Sequence, residues 1–100
     1  MEHYKIVMNR RSVMDLQEIY RYIADEKGSP GNAKKQTDRI RNAIMELSAF
    51  PQSHQERMIG RYANKGYRQL IVDHYLVIYK TDEQKKTVRI ITIQHQLRNL

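Results

Sequence analysis

The sequence predicts an α+β fold of order β-α-α-β-β-β, a helical hairpin packed on one face of a small, mainly antiparallel sheet. Two observations carry that reading. Residues 66–95 contain three runs rich in β-branched and aromatic residues, separated by short polar bridges, as strands of a meander are. Ahead of them lie a short alternating run and two stretches whose apolar residues recur at helical spacing. A chain of 100 residues fits one domain with a single modest core, and residues 1–100 are read as that domain.

Residues 3–9 form the first strand, with Tyr4, Ile6 and Met8 alternating. Ser12 then offers a helix N-cap, and Asp15 three residues later makes a weaker relative of the capping box. Val13, Leu16, Ile19, Tyr20 and Ile23 give that helix its apolar stripe, and Gly28 and Pro30 end it. Ser29 caps a second helix with Pro30 at its first position, where a missing N–H costs nothing. Its stripe is Ala33, Ile40, Ala43, Ile44, Leu47 and Phe50, and Pro51 stops it. Lys34, Lys35, Arg39 and Arg41 lie mostly off the stripe. So tight a connection predicts an antiparallel helical hairpin. Residues 52–65 form a loop carrying Arg57, Arg61 and Lys65. The first strand joins either an edge or the centre of the meander.

With Asp73-His74 as a two-residue turn, Val72 faces Tyr75, Leu70 faces Val77 and Arg68 faces Tyr79. Cross-strand partners share a sheet face. Arg68, Leu70, Val72, Tyr75, Val77 and Tyr79 therefore lie on one face, Tyr67, Gln69, Ile71, Leu76, Ile78 and Lys80 on the other. The Ile71-Leu76-Ile78 face reads as core and the arginine-and-tyrosine face as a working surface. Asp-His is not the favoured Asn-Gly or Asp-Gly turn, and a one-residue slip would exchange the faces.

Eighteen Lys and Arg against eleven Asp and Glu give a formal charge of +7, a field suited to nucleic acid or an acidic protein. The cations are spread along the chain. There is no cysteine, so neither a disulfide nor thiolate chemistry enters. No apolar run approaches the roughly 20 residues that span a bilayer, and a cytoplasmic protein is expected. His3, His54, His74 and His95 show no ligand spacing, so no metal and no cofactor is expected. Phosphate-loop, dinucleotide and nucleophile-elbow motifs are missing. Arg68 and His95 stand near strand ends, where a guanidinium clamps phosphate and an imidazole exchanges protons; the plain alternative is an ion-paired arginine and an ordinary exposed histidine. Tyr67, Tyr75 and Tyr79 either stack on bases or cover a core edge.

Ser29-Pro30 opening the second helix, Pro51 closing it, Tyr67-Arg68-x-Leu70, Tyr75-x-Val77-x-Tyr79 and His95-x-x-Arg98 together resemble the RelE/ParE toxins of type II toxin–antitoxin systems over nearly the whole chain. The resemblance implies a growth-inhibiting toxin, of the kind tied to plasmid stabilisation, in a hetero-oligomer with a cognate antitoxin. RelE-like members are ribosome-dependent ribonucleases that cut mRNA; ParE-like members poison DNA gyrase. RelE-type nucleases place lysines on the first meander strand, an arginine early on the second and another near the end of the third. Here those positions hold Arg68 and Leu70, Tyr75, and Gln96 or a neighbour. Loss of one transition-state donor costs about 10²–10³ in rate, so several losses argue against that chemistry. The tyrosine-rich second strand and His95-x-x-Arg98 are similar to ParE-like members, although Leu97 replaces the first arginine of their His-x-Arg-Arg ending. The resemblance thus implies a gyrase-binding toxin with Arg61, Lys65, Arg68, Tyr75, Tyr79, His95 and Arg98 in target binding. Its alternative is an mRNA interferase with Arg68 and His95 as catalytic residues.

Overall fold

The computed structural model describes residues 3–97. Strand β1 (Lys5–Met8) leads into helix α1 (Arg10–Arg21), which runs on through one π-helical turn (Tyr22–Glu26). Helix α2 (Pro30–Glu46) and strands β2 (Arg68–Val72), β3 (Tyr75–Asp82) and β4 (Thr87–His95) follow. The sheet order is β1-β4-β3-β2, with β1 parallel to β4 and the other pairs antiparallel. The architecture is the α+β arrangement expected, and β1 takes the edge beside β4.

Helix α1 starts earlier than its sequence suggests. Asn9 is the N-cap, its Oδ1 accepting the Ser12 N–H at 2.8 Å, and Ser12 Oγ returns a bond to the Asn9 carbonyl at 2.9 Å. Ser12 is therefore inside the first turn and fully buried. The buried face is also rotated from the expected stripe. Ser12, Asp15 and Leu16 point inward, while Val13 and Tyr20 stand exposed. In α2, Pro30 opens the helix as expected, though the Ser29 side chain makes no capping bond. Ala33, Ile40, Ile44 and Leu47 are buried, joined by Thr37, whose hydroxyl donates to the Ala33 carbonyl at 2.9 Å. Phe50 is 61% exposed because α2 ends at Glu46, four residues short of it, so Phe50 leaves the helical stripe.

The β2–β3 register is the one expected, Arg68 opposite Tyr79, Leu70 opposite Val77 and Val72 opposite Tyr75. Asp73 makes the turn at a left-handed φ of 55°, which an Asx side chain tolerates. Its carboxylate accepts from Arg39 Nε at 2.8 Å and Gln36 Nε2 at 2.9 Å, tying the turn to α2. The faces, however, are the reverse of those assigned from sequence. Leu70, Val77 and Tyr79 pack with Leu16, Ile40, Ile44 and Leu47 under the helices, and Ile71 is 54% exposed on the other side. The reason is that β3 lies inside the sheet: Leu76, Val77, Ile78 and Tyr79 are all buried. A central strand carrying aliphatics on both faces has no alternation to betray which face the helices cover. Tyr79 can be interior because its hydroxyl donates to the Pro51 carbonyl at 2.6 Å.

Strand β4 outruns its neighbour. β1 stops at Met8, opposite Ile90, and β4 continues to His95 with a bulge opposite Ile78/Tyr79. Beyond that point the buried carboxylate of Asp15 takes over. It accepts from the Ile93 N–H at 3.0 Å and the Thr92 hydroxyl at 2.5 Å, and Arg11 Nε lies 3.3 Å from its other oxygen. Since the Thr92 hydroxyl proton is given to Asp15, its oxygen is left to accept the Gln94 amide at 2.9 Å. Asp15→Ala leaves two buried donors without an acceptor, each a charge-assisted bond, and lowers the unfolding free energy by about 3 kcal/mol. A urea denaturation series shows this as a lower midpoint at unchanged slope; a change within 0.5 kcal/mol, typical of a surface site, would count against the role given to Asp15.

Candidate functional site: an aromatic and imidazole cleft

The overhang of β4 past β1 opens a cleft of about 610 Å³ between the end of β4 and the α1/π-turn. Asp15 and Ile93 form its back, Ile19, Tyr22 and Ile23 one wall, Tyr75 and His95 the other, with Glu18 and Lys27 at the mouth. The π-turn shapes this wall, as such single turns often do at functional sites. Tyr22 is 52% exposed, with the Lys27 ammonium 5.7 Å from its ring centroid.

Tyr75 packs half-buried against the core. Burial, and then the neighbouring Tyr22, pushes its phenol above the ordinary value, so it is a neutral hydrogen-bond donor near pH 7. His95 meets the Tyr75 ring edge-on at 5.5 Å and stacks on His74 at 6.1 Å, their planes 15° apart. His95 Nδ1 accepts the Leu97 N–H at 3.2 Å, which leaves Nε2 as its outward nitrogen. Planes so nearly parallel do not aim two nitrogens at one point. Among the described residues, no three or more His, Asp and Glu side chains group as a metal site.

The residues singled out from sequence fall at two ends of the sheet. Tyr75 and His95 share this cleft. Arg68 lies opposite Tyr79, four residues along β3 from Tyr75, about 13 Å at strand spacing. Its guanidinium donates to the His54 carbonyl at 2.7 Å. Arg61 and Lys65 are exposed in the loop before β2, on the Arg68 side. Arg68 and His95 are not brought together. Tyr79 is fully buried between the two ends, so it is no surface for a target; its place in that list is corrected by the reversal of faces. Arg98 lies outside the described residues. Tyr22 and Lys27 were missed, because a five-residue π-turn leaves no periodic signal; His74 adjoins a turn, and its ring partner is set only by the β3–β4 pairing.

The helix-free face carries Tyr67, whose ring centroid lies 4.9 Å from the Lys80 ammonium and meets Tyr62 edge-on at 5.1 Å. Arg57 Nη1 donates to Gln69 Oε1 at 2.9 Å on the same side. The molecule thus presents an aromatic and imidazole cleft at one end and cationic groups beside tyrosines at the other.

The neutral state of Tyr79 has its own signature. Burial pushes its phenol from 10.0 up to about 12, against a smaller downward pull from Arg68. The folded state therefore holds this proton more tightly than the unfolded chain. Its contribution is complete below pH 10 and is lost as pH rises through 12, about 3 kcal/mol in all. Tyr79→Phe flattens that alkaline fall in stability, read from urea midpoints between pH 9 and 12; an unchanged slope refutes the assignment.

A family model described as ParE toxin of type II toxin–antitoxin system, parDE, matches residues 6–100. No curated protein matches in sequence. Among solved structures, a chromosomal ParDE toxin–antitoxin system from P. aeruginosa superposes with a TM-score of 0.76 at 19% identity, covering 93% of this chain and 96% of that one. The RelBE2 toxin–antitoxin complex of Mycobacterium tuberculosis gives 0.64 at 18% identity over 98% and 97%. The intact E. coli RelBE complex gives 0.61 at 12% identity over 95% and 99%. At these identities the structural matches establish the fold.

Proposed function

This chain belongs to the ParE toxins of type II toxin–antitoxin systems, and we propose that it arrests growth by binding DNA gyrase rather than by cutting RNA. The observation that carries this reading is the separation of the two groups a nuclease would use. Arg68 is engaged by the His54 carbonyl at one end of the sheet, and His95 stacks between His74 and Tyr75 at the other. Phosphoryl transfer needs its donors positioned within hydrogen-bond reach of the same reacting group. A cleft walled by tyrosine and imidazole suits a protein surface instead, where aromatic side chains supply most of the contact energy. Arg61, Lys65, Arg68 and Arg98 then steer the approach to an acidic partner.

An acidic antitoxin neutralises the toxin and forms a hetero-oligomer with it in the cytoplasm. Charge complementarity with a +7 chain speeds that encounter and makes it weaken with salt.

Induction of the toxin alone, followed by plasmid supercoiling and mRNA-end mapping on the same culture, separates the two modes. Gyrase-linked DNA breaks are expected, with mRNA ends unchanged, and Tyr75→Ala relieves the arrest by at least tenfold in survival, the scale of one hot-spot residue. Ribosome-dependent mRNA cleavage abolished by Arg68→Ala or His95→Ala would establish the interferase alternative.

A further inference from the structure

We propose that the helix-free face of the sheet carries a phosphate-binding row, Lys5, Arg89 and Lys80, that contacts the backbone of duplex DNA. The choice of DNA rests on the gyrase reading above, since that target works on a duplex; the row itself stands on its own geometry.

The excess of positive charge lies in the sheet layer. The helical segments 10–21, 22–26 and 30–46 carry seven Lys and Arg against six Asp and Glu, which nearly balance. The four strands carry Lys5, Arg68, Lys80 and Arg89 against a single carboxylate, Asp82. Arg68 is given to the His54 carbonyl. The other three share the face away from the helices. Ile6, Met8, Val88 and Ile90 pack into the core, and side chains alternate along a strand. Lys5, opposite Thr87, and Arg89, opposite Val7, therefore point the other way. Lys80 lies directly opposite Arg89 on the neighbouring strand.

Like charges set directly opposite each other destabilise a sheet, and nothing in the described chain relieves this pair. Lys5, Lys80 and Arg89 are exposed, and none of them has an ion-pair partner among the described residues. Tyr67, its ring centroid 4.9 Å from the Lys80 ammonium, positions that cation without cancelling its charge. Lys80, Arg89 and Tyr67 line a recess of about 410 Å³ that Asp82 and Glu83 of the β3–β4 turn also border. Those two carboxylates are committed to the turn. Asp82 Oδ1 accepts the Gln84 and Lys85 N–H groups, each at 3.1 Å. Glu83 accepts the Tyr4 hydroxyl at 2.6 Å and the Gln52 amide, and lies 3.8 Å from Lys86 Nζ. The anion that balances the row must come from outside the chain.

The three groups suit phosphates in series. A guanidinium forks onto two oxygens of one phosphate, and lysines meet others as point charges. Strands lie about 4.8 Å apart, so a row across β3, β4 and β1 spans roughly 10 Å. A duplex presents a charge about every 1.7 Å of its axis, several over that span. A single strand held by its bases needs open aromatic faces. Tyr67 is engaged by Lys80 and meets Tyr62 edge-on at 5.1 Å, so the contact is to backbone and not to bases.

The test is fluorescence anisotropy of the full chain with a labelled mixed-sequence duplex of about 20 base pairs, titrated at salt concentrations from about 50 to 200 mM. Lys80→Gln and Arg89→Gln each flatten the slope of log affinity against log salt by about 0.9, the share of one phosphate contact, and the double variant by about twice that. Each change removes a like-charge opposition, so urea midpoints hold or rise, which separates a lost contact from a lost fold. Lys35→Gln, exposed on α2, removes the same charge and leaves the slope as it was. An equal effect of Lys35→Gln overturns the proposal, because binding then follows net charge alone. Tighter binding of single-stranded RNA of the same length overturns it too, as does displacement of the duplex by polyglutamate at equal charge concentration. An unaltered slope in the double variant overturns it whatever the growth phenotype. The expected slopes in a chain that leaves gyrase untouched sink the gyrase reading alone.

Discussion

A single carboxylate holds the two layers of this molecule in register. Strand β4 continues past its neighbour, and a strand with one interior side bare must find an acceptor for its N–H groups or lose stability. Asp15, reaching from the second turn of α1, is that acceptor for Ile93 and for the Thr92 hydroxyl. The bond does three things at once. It fixes the rotation of α1, it fixes the position of the bulged half of β4, and it forms the back of the cleft between them. Arg11 alongside keeps the charge partnered.

Around that fixed point the sheet divides its labour by position rather than by face. The interior strand β3 is apolar on both sides, so neither face is free to be simply a working surface. The chemistry gathers at the sheet's two ends. At one, Tyr75, His74 and His95 stack where the Asp73 turn is tied to α2 by Arg39 and Gln36 and to the end of β4 by the Gln96 amide. At the other, Arg68 is held by the loop, Tyr67 sits under Lys80, and the Glu56–Arg68 bridge pairs the loop with the start of β2. The aromatic end is built mostly on helix and strand, and the cationic end is carried partly on a loop.

How far the sequence disclosed this depends on the kind of signal each residue leaves. The order of elements, the Pro30 start of α2 and the β2–β3 register were all legible, because turn chemistry and periodicity are local. The start of α1 was misplaced because Asn9 and Ser12 are both good caps, and the bond from the Ser12 N–H to Asn9 Oδ1 decides between them. The faces of the meander were reversed because Leu76 and Ile78 look as core-like as Val77 and Tyr79; the deciding fact, a Pro51 carbonyl within reach of the Tyr79 hydroxyl, joins residues far apart in the chain. Asp15 read as a weak capping residue, since nothing local shows that its carboxylate meets Thr92 and Ile93. The cleft needed the π-turn and the β4 overhang together, and neither leaves a pattern in composition or spacing.

The sheet order also has a consequence for how the protein comes into being. β4 lies between β1 and β3, and Lys5 pairs with Thr87, so β1 has no sheet partner until β4 has been made. Until β4 is made the helices have at most the β2–β3 hairpin to cover, and the cleft lacks Ile93 and His95. The surface formed by Tyr75, Ile93 and His95 therefore exists only once β4 has been made. A partner present at the exit site meets the toxin at the moment its final strand closes the gap.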